Sequence, residues 1–170
     1  VSFSVTPVCF NNPNVFTNLS DSGNVSWNFG DGNFSAAQSP AHTYNASGTY
    51  SVTLVVTNNF GCKDSVSRNV IVHPLPDINF GSTTVCFGNA TCFNDKSVIS
   101  SGSITSWTWN LGDPNLPDNI SFSQNPCITY TASGTYTVVL TITSNNGCQS
   151  TSQQPALVNP LPKAAFTFSD

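Results

Sequence analysis

Hydrophobic and polar residues alternate along this chain in short runs. Tyr50, Val52, Leu54 and Val56 fall on one side of an extended backbone, with Thr49, Ser51, Thr53 and Val55 on the other. Tyr136, Val138, Leu140 and Ile142 repeat the pattern against Thr135, Thr137, Val139 and Thr141. A period of two predicts strands with one buried face and one largely wet face, as in antiparallel sheets. Val25, Trp27 and Phe29 share a face, and so do Trp107, Trp109 and Leu111. Trp27, Trp109, Tyr50 and Tyr136 are therefore expected in the core, since burying one such ring stabilises by roughly 1.5–3 kcal/mol or more. Gly and Pro interrupt the chain at short intervals, Ala and Leu are scarce and Met is absent. The pattern predicts an all-β sandwich or barrel.

The chain also repeats itself. "ASGTYSVTLVVTNNFGC" (Ala46 to Cys62) matches "ASGTYTVVLTITSNNGC" (Ala132 to Cys148), offset by 86 residues, and "HPLP" ending at Pro76 matches "NPLP" ending at Pro162. Upstream the offset falls to 82 between Trp27 and Trp109, and to 77 between Cys9 and Cys86. Two insertions account for the drift, one before the Trp strand and one where "PNLPD" replaces a single Gly. Insertions settle in loops, so the drift marks two loops. Two domains follow, 1–75 and 76–161, joined at stiff "PLP" segments. The tail 162–170 resembles the opening of each repeat and reads as the start of a third.

In "FGDGN" a Gly-Asp-Gly follows one strand directly and precedes another, a hairpin signal. Gly30 and Gly32 suit positive φ, and Asp31 suits accepting a backbone N–H across the turn. Gly112 and Asp113 keep the Gly-Asp, but the second Gly is lost. A corner tolerates that change and a catalytic or metal loop does not, so a structural turn is expected, with a ligand loop as the rival.

"WNFGDG", "HTY" (His42 to Tyr44) and "GTYSVTLVVTN" (Gly48 to Asn58) resemble the signature of PKD domains, the polycystic-kidney-disease-type repeat. The resemblance covers both repeats and implies two tandem Ig-like β-sandwiches. The second copy departs from it with "NLGDP" and "ITY". Repeats of this kind with these cysteines resemble those of large Bacteroidetes-type surface or secreted proteins. There the resemblance implies adhesins, gliding proteins or accessory modules of hydrolases.

Six cysteines allow 15 pairings. Cys9 and Cys62 hold the same places in the first copy as Cys86 and Cys148 in the second, so Cys9–Cys62 and Cys86–Cys148 are the expected bridges. Cys92 and Cys127 align with Val15 and Ala41 and suggest a third bridge between neighbouring strands. Each long bridge would be worth roughly 4 kcal/mol by chain entropy. Paired cysteines imply an oxidising, extracellular or cell-surface setting. No Cys-x-x-Cys points to zinc.

Only 7% of residues are charged and the net charge is −4, which gives no basic footprint for nucleic acid. No apolar stretch suits a spanning helix. Glu is absent, and His42 and His73 have Ile128 and Asn159 as counterparts. A general acid–base pair is hard to assemble from these groups, and no Gly-x-Ser-x-Gly elbow occurs. No cofactor is expected; the resemblance leaves Ca²⁺ open, but a cage needs several converging oxygens and each turn offers one Asp. The expectation is a non-enzymatic spacer, stalk or filament segment of a surface protein. Its partners would be neighbouring repeats of the same chain, other copies in a fibre, or surface glycans or proteins. The alternative is a carbohydrate- or protein-binding accessory module of a secreted hydrolase, with Phe34, Phe60 and Phe122 as its candidate ligand surface.

Overall fold

The structure is a computed structural model that describes residues 1–21, 23–117 and 119–165. It is all-β, with no helix among the described residues. The chain divides into two compact units, Val1–Leu75 and a second that begins at Pro76. The expected third-repeat segment, 162–170, lies from Phe166 onward outside the described residues.

The first unit contains β1 (Phe3–Val5), β2 (Val8–Cys9), β3 (Asn14–Asn18), β4 (Asn24–Asn28), β5 (Phe34–Ser35), β6 (Ala41–His42), β7 (Gly48–Thr57) and β8 (Lys63–His73). One sheet has the order β1-β3-β6 and the other β2-β8-β7-β4-β5. The long β7–β8 hairpin carries the larger sheet, with Gly48 opposite Val72 and Thr57 opposite Lys63. β2 joins the outer side of β8 in parallel, which sets Cys9 opposite His73. The inward residues of the period-two pattern meet between the sheets: Phe3, Phe16, Trp27, Phe29, Tyr44, Val52 and Leu54 are buried. Trp27 is fully covered and takes Phe3 edge-on at 5.1 Å and Phe16 at 5.5 Å. Its indole N–H donates to the Ala37 carbonyl at 3.0 Å, so the ring is buried without an orphaned donor.

The second unit repeats this order with β9 (Phe80–Ser82), β10 (Val85–Cys86), β11 (Thr91–Asp95), β12 (Ile104–Asn110), β13 (Ile120–Ser121), β14 (Cys127–Ile128), β15 (Gly134–Ser144) and β16 (Gln149–Asn159). Its sheets are β14-β11-β9 and β10-β16-β15-β12-β13. Trp109 takes the place of Trp27, between Phe80 at 5.0 Å and Phe93 at 5.5 Å, and donates to the Ser123 carbonyl at 2.9 Å. The "PNLPD" insertion is anchored: Leu116 packs on the core and its N–H bonds the Asp113 carbonyl at 3.2 Å.

Tyr50 and Tyr136 are half-buried, at the margin of the core, rather than within it. Each stacks on a tyrosine that is 2% exposed, Tyr44 at 3.8 Å and Tyr130 at 3.9 Å. The outer rings keep their hydroxyls at the surface, bonded to the Ala46 and Ala132 carbonyls at 2.8 Å.

The cysteine pairing differs from the expected one. Cys92 and Cys127 are cross-strand partners and form a disulfide. Cys62 and Cys86 are free and exposed, so Cys9–Cys62 and Cys86–Cys148 are not formed. The reason is the parallel strand at the sheet edge. Cys9 lies beside His73, at the last residue of β8, whereas Cys62 precedes its first residue, Lys63. Eleven strand residues separate the two by roughly 30–35 Å, and a disulfide needs Cα atoms within about 7 Å. Cys86 beside Asn159 and Cys148 before Gln149 lie at opposite ends of β16 in the same way. Equivalence in a repeat carries no information about proximity inside one copy.

Candidate functional site: the Gly-Asp corners

In the first unit the corner follows β4 directly. Gly30 and Gly32 have φ of 82° and 91°. Asn28 Oδ1 accepts from the Gly30 N–H at 2.9 Å and Phe29 N–H donates to the Asn33 carbonyl at 3.1 Å, closing the β4–β5 hairpin. A Cβ on Gly30 would lie 2.6 Å from the Ser51 carbonyl oxygen, so glycine is needed for both dihedral and space.

Both oxygens of Asp31 are engaged. Oδ1 accepts from the Asn33 N–H at 3.1 Å; Oδ2 accepts from Asn33 Nδ2 at 3.0 Å and lies 2.7 Å from His42 Nε2. The His42 ring is stacked on Phe29, with centroids 4.1 Å apart, and meets the edge of Tyr44. Tyr44 donates its hydroxyl to the Phe29 carbonyl at 3.0 Å. Burial pushes the Asp31 carboxyl upward, and the hydrogen bonds from His42 and Asn33 outweigh it, leaving a net lowering.

The second corner reaches the same end with different residues. Gly112 has φ of 82°, and Asn110 Oδ1 again accepts the glycine N–H, at 3.0 Å. His42 has no counterpart here, because Ile128 fills its place. Asp113 turns instead to Thr131: Oδ2 accepts the Thr131 N–H at 2.9 Å and its hydroxyl at 2.8 Å, and Oδ1 accepts the Asn115 N–H at 3.0 Å. Tyr130 donates to the Leu111 carbonyl at 2.8 Å, as Tyr44 does to Phe29. Asp113 is fully covered. The Thr131 N–H is the largest cause holding its carboxyl below the ordinary value.

Asp31 thus ties its hairpin to His42 on β6, and Asp113 ties its own to Thr131, just past the end of β14. The sequence flagged the glycines and aspartates; it did not show that His42 and Thr131 are alternative anchors. The signal was present, since the histidine and the second corner glycine are lost in the same copy.

Among the described residues, no group of three or more His, Cys, Asp or Glu is placed to hold a metal. His73 ends β8 on the larger sheet, while His42 lies on β6 of the smaller one. The three candidate surface aromatics stand out in solvent: Phe34 is 68%, Phe60 92% and Phe122 73% exposed. Phe34 lies on the edge strand β5, Phe122 follows the equivalent edge strand β13, and Phe60 occupies the β7–β8 turn. Phe34 and Phe60 belong to the first unit and Phe122 to the second. No helix of the described residues is long and apolar enough to cross a membrane.

A family profile described as PKD domain matches residues 6–73 and 71–158. A stretch of 51 residues, 30% of the chain, is 39% identical to a microbial collagenase of Vibrio alginolyticus, of which it spans 6%. The PKD1 domain of Vibrio anguillarum Epp is 26% identical over 51% of this chain and 96% of that one, with a TM-score of 0.46. A C-terminal fragment of intimin, crystallised with the intimin-binding domain of its translocated receptor, aligns with 94% of this chain and 64% of that one. It has a TM-score of 0.55 and 14% identity, a likeness of fold. With both repeats matched over most of their length, the chain belongs to the PKD domain family, which it represents twice in tandem.

Proposed function

We propose that these two PKD domains are a non-enzymatic, extracellular spacer or stalk segment of a surface protein, able to take part in a fibre. The observation that carries this reading is the engagement of both corners within their own units. Asp31 and Asp113, the carboxylates that recur in the two copies, each hold three hydrogen bonds with neighbouring groups of their own unit, through both oxygens. A residue committed to holding a hairpin is not available for proton transfer or for a metal. Each unit has its own aromatic core and a hairpin of 10–11 residues per strand, a module roughly 30–35 Å long. The proline joints favour extended backbone. The Cys92–Cys127 bridge favours an oxidising compartment.

The test is replacement in the source protein. Exchanging both units for unrelated Ig-like units of equal number should preserve surface display and adhesion, whereas deleting them should impair adhesion. Loss of adhesion on exchange, with display intact, would overturn the spacer reading.

A second reading, an accessory module that binds glycan or protein for a hydrolase, is favoured by the exposed Phe60 and by the similarity to the collagenase. Retention of the purified pair on a polysaccharide or collagen matrix, abolished by Phe60→Ala, would support it.

A further inference from the structure

Asn14 and Thr91 open the equivalent strands β3 and β11, offset by the same 77 residues that separate Cys9 from Cys86. Each takes an inward position. The next inward residue along the strand is a buried phenylalanine, Phe16 or Phe93, whose ring meets the core tryptophan at 5.5 Å in both units. The strand period therefore assigns a hydrophobe to this place. Both copies instead carry a polar side chain there, and both side chains are fully buried.

The two residues differ in length and chemistry, yet each ends in a buried oxygen with no hydrogen-bond partner among the described residues: Oδ1 of Asn14 and Oγ1 of Thr91. Turning the Asn14 amide round does not cure this. Its Nδ2 donates to the Thr6 carbonyl at 3.3 Å, and a flip would set two acceptors against each other and bury the donors unpaired. The backbone on either side is committed alike in both units. Asn12 N–H donates to the Cys9 carbonyl and Asn89 N–H to the Cys86 carbonyl, each at 3.1 Å. Phe16 N–H donates to the Pro40 carbonyl at 2.9 Å and Phe93 N–H to the Pro126 carbonyl at 2.8 Å.

A buried oxygen left bare loses its hydration and gains nothing in return, so an apolar group of the same shape would serve the fold better. Valine has the shape of threonine and suits a strand. An unpaired oxygen at one strand position in two copies, on side chains otherwise unalike, points to a small molecule that satisfies it in both.

We infer that each PKD unit encloses one structural water at this position, which donates to Asn14 Oδ1 in the first unit and bonds the Thr91 hydroxyl in the second. Water fits because one ligand must serve both an amide oxygen, which only accepts, and a hydroxyl, and water can donate to either. A metal ion would need several converging ligands, and among the described residues no group of His, Cys, Asp or Glu is placed to hold one. Internal waters usually make about three hydrogen bonds to groups otherwise unsatisfied. A backbone carbonyl has two lone pairs, so Thr6, already bonded to the Asn14 amide, offers the water a second acceptor. Thr83 holds the place of Thr6 in the second unit. The inference goes beyond the spacer reading and holds whether the pair acts as a spacer or as a binding module.

The test uses the full 170-residue chain. A crystal structure should show one water within hydrogen-bond distance of Asn14 Oδ1 and one at Thr91 Oγ1, each closed off from solvent. Thr91→Val then separates a bonded hydroxyl from a bare one, because the two cases differ in sign. If the hydroxyl holds a water, the variant loses that bond and leaves the water short of a partner. The urea midpoint of the second unit, read by hydrogen exchange on its own peptides, then falls. If the hydroxyl is bare, the methyl group removes a penalty and the midpoint rises. The fall is the expected result; an unchanged or raised midpoint, or a dry oxygen in either unit, overturns the inference. Should Thr91→Val fail to fold, the electron density at the two oxygens decides alone.

Discussion

Asp113 accepts two hydrogen bonds from one residue, Thr131, through its backbone N–H at 2.9 Å and its hydroxyl at 2.8 Å. In the first unit the equivalent aspartate turns to a histidine, and the same corner is locked by a different chemistry. The Asp113 carboxyl is held below its ordinary value of 3.8. A carboxylate depressed on folding stabilises above its unfolded pKa, and that contribution is lost as pH falls through the lower folded value. Asp113→Asn should therefore weaken hydrogen-exchange protection of the second unit at pH 7. The gap from the unchanged protein should narrow below pH 3.8. A gap independent of pH would mean that charge plays no part.

The two glycines of the first corner separate dihedral from space. Both lie in the left-handed region, but only Gly30 has backbone where a Cβ would go, at the Ser51 carbonyl; Gly32 has nothing within 4 Å. Gly32→Ala should cost about 1–2 kcal/mol, the general penalty of an L-residue in that region. Gly30→Ala should cost more and should loosen β7 at Ser51. Urea denaturation of the two variants gives the order; equal losses would show that the close approach is relieved by a small shift.

How much of this was legible depended on whether the signal was local. The alternation from Tyr50 to Val56 states which side chains face inward, because the strand period is intrinsic to the backbone, and Val52 and Leu54 are fully buried. The Gly-Asp corner is local in the same way. Pairing across the sheet is not. Cys9 and Cys62 looked like partners because they recur together, but whether β2 joins β8 parallel or antiparallel decides which end of the sheet Cys9 occupies, and no residue of "PVCF" announces that choice. The Val15/Ala41 and Cys92/Cys127 correspondence was more informative, because it paired positions across two strands: both pairs are in register in their sheets. Tyr44 was hidden for another reason: "HTY" shows no period, and its burial comes from Phe29, just past the end of β4, and from Tyr50 on β7.

Tyr130 gives the second unit an alkaline limit. Burial, with smaller contributions from Tyr136 and Asp113, raises its phenol to about 12, and its hydroxyl donates to the Leu111 carbonyl. A group whose folded pKa is raised gives its full contribution below the unfolded value, ordinarily 10.0, and loses it as pH climbs through the folded one. The second unit should weaken between these values. Tyr130→Phe should lose about 0.5–1.5 kcal/mol at neutral pH and in exchange show a flatter alkaline limb. Chemical denaturation at pH 7 and pH 11 distinguishes these; equal alkaline sensitivity in both proteins would place its origin elsewhere.

The Cys92–Cys127 bridge can be removed with a substitution that the chain itself supplies. The first unit carries Val15 opposite Ala41 where the second carries the disulfide, in matching register, so Cys92→Val with Cys127→Ala restores a pairing this sandwich already accommodates. The bridge closes a separation of 35 residues, for which chain entropy gives about 4 kcal/mol as a ceiling. The double variant should fold, with its second unit melting earlier by an amount below that ceiling and the first unit unchanged. Hydrogen exchange read on peptides from each unit checks both halves of the expectation. An unchanged second unit would show that the register is held by the flanking β9–β11 ladder and the core alone; a collapse of both units would show that the substitution does more than cut one crosslink.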